Sequence, residues 1–460
     1  MRHTLIRGGL VVSSTEVRSE DVLITGSRIG ALGKGIETAE GAEIIDASGC
    51  FVIPGGVDAH VHLSLPVSGG LVSGDSWESG TRAALAGGTT TVIDFVTPER
   101  EGSLKRALRE RLEEADEACC DYSLHLSVTG PGQLAELPEL LQESGCAGVK
   151  VYMAYKATIG IDDVLLLQVM EAVAENGGIV LAHCEDGDAV EYLQEKLYQQ
   201  GKTGPSSHPR SRPSIVEEEA VHRAAMYARL TGAALYVVHT STTGGMQAIG
   251  EARAHGVEVY AEVCLHHLFL NESFYDRNGF KAAKYVMSPP LRPMDDVDRL
   301  WHCLTEGDVD VLSSDHCPFD FAAAKQMGKN DFRKIPGGVA GVEDRIPVFY
   351  TTAIGEERIS WPRFVDLVSE KPARIFGLYP RKGVIQEGAD ADIVVWTPGG
   401  SRVCTAVDSH QNCDYSVYEG LHLAGSARYV FSRGDAVVRD GKLHAARGRG
   451  RFIPRRSSGR

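Results

Sequence analysis

Eight apolar runs of strand length recur through the middle of the 460-residue chain, with helical stretches between them. The runs cover residues 51–60, 89–96, 121–128, 148–155, 178–184, 235–240, 257–264 and 309–316. Strands that alternate with helices form parallel sheets covered on both faces, and such strands are therefore apolar along their whole length. Eight βα units close most simply on themselves, so the pattern predicts a TIM-type (β/α)8 barrel.

Both ends of the chain show a different pattern, in which short β-type runs alternate with glycine and polar turns. This pattern covers residues 1–53, returns in residues 381–460, and is typical of antiparallel sheets. We therefore expect the termini to form one small β-sandwich domain, with the barrel of residues 54–380 between them. The basic segment 447–460, RGRGRFIPRRSSGR, is expected to be a frayed end or an arm that docks on a partner.

Two local motifs refine this prediction. Helices are expected at 78–86 and 215–229, and Ser214 with Glu217 has the spacing of a capping box at the start of the second helix. Residues 65–76, LPVSGGLVSGDS, directly follow the first barrel strand and are rich in glycine and serine. At a barrel mouth, this composition predicts either a mobile cover over the site or a simple surface turn.

The composition excludes several classes of protein. The formal net charge of −15 argues against a nucleic-acid partner or an anionic membrane surface, since both require a cationic face. No apolar run approaches the ~20 residues needed to span a bilayer. The ten cysteines form no CxxC pair, and the first residues lack the apolar core of a signal peptide. We therefore expect reduced thiols and a cytoplasmic protein.

Candidate metal ligands stand at the ends of the predicted barrel strands. In Asp58-Ala59-His60-Val61-His62 the two-residue spacing puts both imidazoles on one side of an extended chain, where they can reach one ion. A barrel brings all its strand ends to one face, which is where its active sites lie. The six donors that converge there are His60, His62, Lys150, His183, His239 and Asp315. Their convergence predicts a metal centre at the barrel mouth.

Lys150 lies within the apolar strand GVKVYMAY, where a protonated ammonium is costly and cannot bind a cation. A lysine with a lowered pKa would relieve this cost. Carboxylation by CO2 would also relieve it, because the resulting carbamate has two oxygens that can bridge two metal ions.

The whole pattern resembles the cyclic amidohydrolases of the hydantoinase and dihydropyrimidinase type, over nearly the full chain. The motifs that carry the resemblance are DAHVHL, AGGTTTVIDF, KVYMAYK, AHCED, YVVHTS, KYVMSPPLR, SSDHCPFD, GVEDR and FGLYPRKGVIQEGADADIVVW. The resemblance implies two divalent ions per subunit, usually zinc with manganese or cobalt as alternatives. It also implies that Lys150 is N6-carboxylysine and that the enzyme is a homotetramer.

The same resemblance assigns roles around the centre and implies a hydrolase acting on carbon–nitrogen bonds of a small cyclic amide. Tyr155 would polarise the scissile carbonyl, while Ser288 and the backbone near Gly337, where relatives commonly place Asn, would hold the remaining ring amide. Two divalent ions sharing a water lower its pKa from about 15.7 toward neutrality, which implies a metal-bridging hydroxide as nucleophile. Asp315 would take the proton and return it to the departing nitrogen, so that 5-substituted hydantoins or dihydropyrimidines become N-carbamoyl amino acids.

Three alternatives stay open at this point. Dihydroorotases usually carry an arginine where this chain has Ser64, and a hydroxyl cannot replace a guanidinium as a carboxylate clamp. Allantoinases usually carry asparagine there. Non-catalytic dihydropyrimidinase-related proteins, which act in binding and assembly, have lost metal ligands that this chain keeps.

The preferred ring is also open. We expect Leu65, Leu71 and Tyr152 to shape the pocket for the exocyclic group, and the resemblance to bacterial hydantoinases suggests a preference for the D enantiomer. A one-methylene difference in such a pocket is worth only about 1–3 kcal/mol, so several substrates are expected. His266 and His267, in EVCLHHLFL, are interpreted as structural residues rather than metal ligands.

Overall fold

The computed structural model describes residues 2–38, 40–67, 70–276 and 279–455. The strands are β1 (His3–Arg7), β2 (Leu10–Val12), β3 (Val17–Ser19), β4 (Asp21–Thr25), β5 (Arg28–Gly33), β6 (Glu43–Asp46), β7 (Phe51–Pro54), β8 (Gly56–Asp58), β9 (Pro66–Val67), β10 (Leu71–Val72), β11 (Thr89–Val96), β12 (Asp121–Ser127), β13 (Gly148–Tyr152), β14 (Ile179–His183), β15 (Ala234–Val237), β16 (Val259–Cys264), β17 (Val311–Ser313), β18 (Ile393–Thr397), β19 (Arg402–Val403), β20 (His422–Leu423), β21 (Ser426–Ser432), β22 (Asp435–Arg439) and β23 (Lys442–Leu443).

The α-helices lie mainly between the central strands. They are α1 (Trp77–Ala86), α2 (Leu104–Glu114), α3 (Leu137–Glu143), α4 (Asp163–Glu175), α5 (Gly187–Gln199), α6 (Ser207–Arg210), α7 (Ser214–Thr231), α8 (Thr243–Ala254), α9 (Leu265–Phe269), α10 (Met294–Glu306), α11 (Arg345–Ala353), α12 (Trp361–Val365) and α13 (Lys371–Ile375). Within the described residues, none of the helices combines the length and the apolar character needed to cross a membrane.

The centre of the molecule is a parallel sheet in which β8 and β11 to β17 follow one another in chain order. The first and last strands meet through a parallel bridge between Val61 and His316, and the His62 amide donates to the His316 carbonyl at 2.8 Å. Apolar side chains including Val57, Ile93 and Leu181 fill the interior. The predicted (β/α)8 barrel is therefore confirmed.

The first predicted barrel strand, residues 51–60, is wrong as a single element. β7 pairs with β2 and β18 in a different sheet, and the barrel strand β8 begins only after Gly55. The Gly55 amide donates to the Asp392 carbonyl, and a Cβ at this glycine would lie 2.2 Å from the Thr90 hydroxyl oxygen. One apolar run thus crosses from one sheet to the next through a point that only glycine fits.

The two termini form the β-sandwich that the sequence predicts. One sheet has the order β5-β4-β1-β6, and the other has the order β23-β22-β21-β18-β7-β2-β3. Their facing sides bury a common core that includes Ile6, Val22, Val52, Ile393 and Phe431. Strands from both ends of the chain complete this core, since β7 and β18 are neighbours. The proposed domain limits of 1–53, 54–380 and 381–460 stay predictions.

The predicted capping box is wrong, although a helix begins there. α7 starts at Ser214 with Pro213 as its N-cap, and no side chain caps it. The Ser214 hydroxyl instead donates to Asp296 at 3.1 Å. Glu217 is buried and accepts hydrogen bonds from the backbone amides of Ser241 and Thr242. Both residues of the predicted capping box therefore form hydrogen bonds with residues distant in the sequence and do not cap the helix.

The basic C-terminal segment packs on the barrel of its own chain as far as it is described. Ile453 donates its amide to the Tyr122 carbonyl, and the Arg455 amide donates to the Gly145 carbonyl, both at 2.7 Å. The Ile453 side chain is buried in the barrel cluster, and the Arg455 guanidinium lies against the Phe376 ring. Residues 456–460, the rest of the predicted arm, lie outside the described residues.

We expect Ile453→Ala to destabilise the protein by about 2–5 kcal/mol, because it leaves a cavity in the barrel cluster. Urea unfolding monitored by circular dichroism measures this change in free energy. Ile215→Ala is the matched control, since that side chain is 61% exposed and its truncation should cost less than about 0.5 kcal/mol. Equal stabilities of the two variants would contradict the docking of the C-terminal segment.

Candidate active site

The six predicted metal ligands stand together at the carboxyl end of the barrel. His60 and His62 follow β8, Lys150 lies in β13, His183 ends β14, His239 follows β15, and Asp315 follows β17. The barrel strands end at this face, so the residues that follow them can place polar side chains together at the barrel mouth.

The first group of ligands consists of His60, His62 and Asp315. The Nε2 atoms of the two histidines lie 3.2 Å apart. The Oδ1 atom of Asp315 lies 3.1 Å from the first and 3.3 Å from the second. Three donor atoms at these separations can bind the same metal ion.

The second group consists of His183 and His239, whose Nδ1 and Nε2 atoms lie 2.9 Å apart. The two groups are neighbours, because the ring centroids of His60 and His239 are 5.6 Å apart. Lys150 is 1% exposed, and its Nζ lies 5.1 Å from the centroid of the Phe95 ring, which stacks on His62. The lysine lies beside both groups, since its charge acts on Asp315 in the first and on His183 and His239 in the second.

Two buried glutamates determine which imidazole nitrogens face the centre. His60 donates its Nδ1 proton to Glu262, and His183 donates its Nε2 proton to Glu185, both at 2.8 Å. The opposite nitrogens, which face the other ligands, therefore carry lone pairs. These lone pairs can accept the Nε2 protons of His62 and His239, or bind a metal ion in place of those protons. The first group thus fits a divalent metal, whereas the second group offers two imidazoles and needs a further ligand to hold one.

The electrostatics agree with this interpretation. Burial lowers the pKa of His62 and His183, and it lowers that of His239 well below its usual value, so all three are neutral ligands at pH 7. Burial alone would raise the pKa of Asp315, but the neighbouring imidazoles hold it well below its usual range. Neutral imidazoles and ionised carboxylates are the ligands that zinc and similar ions prefer.

Burial also lowers the pKa of Lys150 to about 8, although Asp315 and Glu262 act in the opposite direction. The neutral amine is therefore the minor form near neutral pH, but it is far more populated than in an exposed lysine. Only the neutral amine is nucleophilic, so Lys150 is chemically suited to react with CO2 and form a carbamate.

The predicted substrate-binding residues lie next to one another, beside the second ligand group. The Tyr155 ring is 5.2 Å from the His183 ring, and its hydroxyl hydrogen-bonds to Ser288. Burial raises the pKa of Tyr155, so it stays a phenol that can donate a proton in a hydrogen bond. Gly337 is exposed, and a Cβ there would lie 3.8 Å from the Ser288 hydroxyl oxygen. The three residues therefore share one wall of the mouth.

Backbone strain is concentrated at the mouth. Ser64, Tyr155, His239 and Asp315 have φ values of 46°, 60°, 38° and 47°, in the left-handed region that non-glycine residues rarely adopt. Each such residue costs of order 1–3 kcal/mol and persists only where its surroundings require it. Here the strain directs side chains of loops and strand ends into one small volume.

The hairpin β9–β10 covers part of the mouth, within the stretch 65–76 that was predicted as a loop. Leu65, Val67 and Leu71 pack against Cys317 and Phe319. Residues 68–69 at the hairpin tip lie outside the described residues, so a gating role stays a prediction. Tyr152 is buried, with its ring centroid 6.3 Å from that of Tyr155.

His266 and His267 lie in α9, directly after β16, and with Cys264 they form a buried group whose ligand atoms lie close enough together to hold a metal ion. The Nε2 atom of His267 lies 3.2 Å from the Pro289 carbonyl oxygen and donates to it in a neutral tautomer. This contact ties α9 to the segment that carries Ser288. It agrees with the structural role expected for His267, and both assignments stay predictions.

Comparison with known proteins identifies the family. A model described as "Amidohydrolase family" matches residues 51–437. The chain belongs to the amidohydrolase family. D-hydantoinases from Geobacillus stearothermophilus and Streptomyces coelicolor are 40% and 42% identical to this amidohydrolase, covering 99% and 98% of it and 97% and 98% of their own lengths. The crystal structure of dihydropyrimidinase from Brevibacillus agri superposes with a TM-score of 0.97, at 38% identity and full coverage of both chains.

Sequence reasoning missed the two glutamates that orient the ligands of this amidohydrolase. Glu262 is a fully buried charge in the apolar strand β16, and Tyr236 donates to its second oxygen at 2.8 Å. The same signal, a charge inside an apolar strand, had singled out Lys150 and could have found it. Glu185 lies in the AHCED motif, where Arg212 also donates to it. Burial alone would raise its pKa, but Arg212 and His183 hold it at about 2.

We expect Glu262→Gln to weaken metal binding by about 10–100-fold, because an amide that donates toward His60 or Tyr236 no longer fixes the ligand tautomer. Competition with a chelator measures the metal dissociation constants. Glu251→Gln is the control, since that side chain is 67% exposed. Unchanged metal affinity in Glu262→Gln would show that this glutamate does not orient the centre.

Proposed function

We propose that the chain opens cyclic amide rings by hydrolysis, converting 5-substituted hydantoins or dihydropyrimidines to N-carbamoyl amino acids. The observation that carries this proposal is the convergence of two lone-pair-bearing ligand groups, His60 with His62 and His183 with His239, around buried Lys150. The named relatives support the substrate class, since they are D-hydantoinases and a dihydropyrimidinase. Their names also support a preference for the D enantiomer.

The metal centre proposed for this site has two divalent ions, and zinc is the ion that best matches its imidazole and carboxylate ligands. His60, His62 and Asp315 would hold one ion, and His183 and His239 would hold the other. Carboxylated Lys150 would bridge them. When bound, such ions polarise a carbonyl oxygen and lower the pKa of a shared water toward neutrality.

The chain's own residues supply the remaining steps. Asp315 accepts the proton of the attacking water as the new carbon–oxygen bond forms. Tyr155 donates a hydrogen bond to the carbonyl oxygen, on which negative charge develops in the transition state. Asp315 then returns the proton to the ring nitrogen as the carbon–nitrogen bond breaks. Ser288 and the backbone near Gly337 hold the second ring amide so that the scissile carbonyl stays in place.

Two of the competing functions, dihydroorotase and a non-catalytic binding protein, lack support in the described residues. Ser64 lies at the mouth, and its amide donates to the Asp75 carbonyl at 2.7 Å. Its short neutral hydroxyl provides no carboxylate clamp for dihydroorotate. All six ligand positions are filled by residues able to bind metal, which argues against a non-catalytic relative. We also propose a homotetrameric, cytoplasmic enzyme, as predicted from the sequence.

A substrate panel tests this function. Zinc- or manganese-reconstituted protein is assayed on dihydrouracil, 5-phenylhydantoin, allantoin and dihydroorotate, with chelator-treated protein as control. We expect chelator-sensitive opening of dihydrouracil, 5-phenylhydantoin or both. Turnover of allantoin or dihydroorotate alone would contradict the proposal, and so would the absence of turnover from protein that holds two metals per chain.

A further inference from the structure

Lys325 lies outside the ligand set, yet it is a fully buried cation close to the proposed substrate wall. Its side chain has no exposed area. Its Nζ donates to the backbone carbonyls of Val286, Pro336 and Gly338 at 2.9, 2.7 and 2.9 Å. An ammonium group has three protons, so these contacts use its full donor capacity.

The three carbonyls belong to two separate loops. Val286 lies two residues before Ser288, while Pro336 and Gly338 are the immediate neighbours of Gly337. The loops also meet directly, because the Gly338 amide donates to the Val286 carbonyl at 3.0 Å. A single ammonium therefore joins the backbone of Ser288 to the backbone of Gly337.

Other buried donors hold the segment around Ser288 from its other sides. Tyr275 donates to the Tyr285 carbonyl at 2.8 Å, and His208 donates from Nε2 to the Met287 carbonyl at 2.7 Å. These donors fix that segment alone. Among the described side chains in these hydrogen bonds, Lys325 is the one that reaches both the 286–288 and the 336–338 segments.

Placing a cation here is unfavourable in itself. Burial lowers the pKa of Lys325 to about 7, and the side chain lies beside the apolar Phe319 ring, 5.9 Å from Nζ, whereas the three carbonyl oxygens around Nζ favour the protonated amine. A well-packed apolar side chain at such a position is often as stabilising as a buried charge, or more so. The arrangement is therefore better explained by the geometry it imposes on two loops than by stability.

We propose that Lys325 is a positioning residue for substrate binding. It sets the distance between Ser288 and Gly337, and this distance determines how tightly the second ring amide is bound. This inference rests on the proposed function for its substrate. It assigns Lys325 no contact with the reacting carbonyl or with the metal ligands. Loss of the ammonium should therefore change ring binding much more than the chemical step or the metal content.

The variants Lys325→Met and Lys325→Gln test this role, with Lys329→Met as the exposed control from the same segment. For Lys325→Met we expect KM for the ring substrate to rise by about tenfold or more, with kcat changed less than about threefold. Two metals per chain should remain bound. Lys325→Gln keeps two N–H donors and should restore part of the lost affinity. Unchanged KM, or a kcat loss without a KM change, would overturn the proposal.

Hydrogen exchange gives a second readout that needs no activity. Without substrate, the Gly338 amide should exchange faster in Lys325→Met than in the parent and the control, because its acceptor loop is no longer held. Unchanged exchange of this amide would show that Lys325 does not hold the two loops together. If the parent protein opens no cyclic amide, the proposed function fails, whereas the exchange result still decides whether Lys325 joins the loops. Should Lys325→Met not fold, Lys325→Gln carries both measurements.

Discussion

Lys150→Ala is expected to lose both metal ions and to reduce ring opening by about 10³-fold or more. Removing a single electrostatic stabiliser from an active site already costs about 10²–10³ in rate. Here the bridge between the two ligand groups disappears as well, so neither ion keeps its ligand set. Metal analysis of the purified variant and a direct ring-opening assay measure the two effects.

Rescue and a control separate this role from simple loss of folding. Short-chain carboxylates such as acetate or propionate should restore part of the metal content and activity, because they supply two oxygens where the carbamate would be. Lys196→Ala, on the exposed face of α5, should leave both readouts unchanged. Two bound metals together with full activity in Lys150→Ala would rule out the bridging role.

Asp315→Asn is expected to reduce kcat by about 10²–10⁴-fold, the usual contribution of a general acid–base residue. The change keeps the shape and one oxygen donor next to His60 and His62, whose Nε2 atoms lie 3.1 and 3.3 Å from Oδ1. An amide cannot take up the proton of the attacking water. We therefore expect a much larger effect on kcat than on KM.

Steady-state kinetics and metal analysis of the same preparation check this prediction. Asp298→Asn, an exposed residue of α10, is the matched control. If Asp315→Asn lost metal, kcat would be measured at saturating metal, so that the loss of proton transfer is separated from the loss of the ions. A variant that kept near-parental kcat would contradict the proton-transfer role.

Much of the fold follows from the sequence because both of its periodic patterns are local. The apolar runs place the barrel strands, and α7 appears at Ser214–Thr231 where residues 215–229 were expected. The choice of partner strand is not local. The run 51–60 contains the breaker Pro54-Gly55-Gly56, which could have marked a break, but nothing in it shows that its two halves join different sheets.

The ligand positions could be predicted because a barrel collects its strand ends. Residues that act through another side chain were harder to find. Glu217 has the spacing of a capping residue, yet it accepts hydrogen bonds from Ser241 and Thr242 across the fold. Lys325 carries no motif at all, and only the backbone geometry of the two loops reveals its three acceptors. Such contacts depend on tertiary proximity, which spacing along one chain does not encode.

The pairing of β7 with β18 has a consequence for synthesis on the ribosome. β7 ends at Pro54 and β18 begins at Ile393, so residues 55–392 are translated between the two partners. At a usual rate of about 5–20 residues per second, the first strands wait roughly 20–70 s for the strand that completes their core. During this interval β7 has an unpaired edge and the core around Val11 and Val52 lacks Ile393 and Phe431, so nascent chains are open to aggregation or chaperone binding until the C-terminal strands emerge.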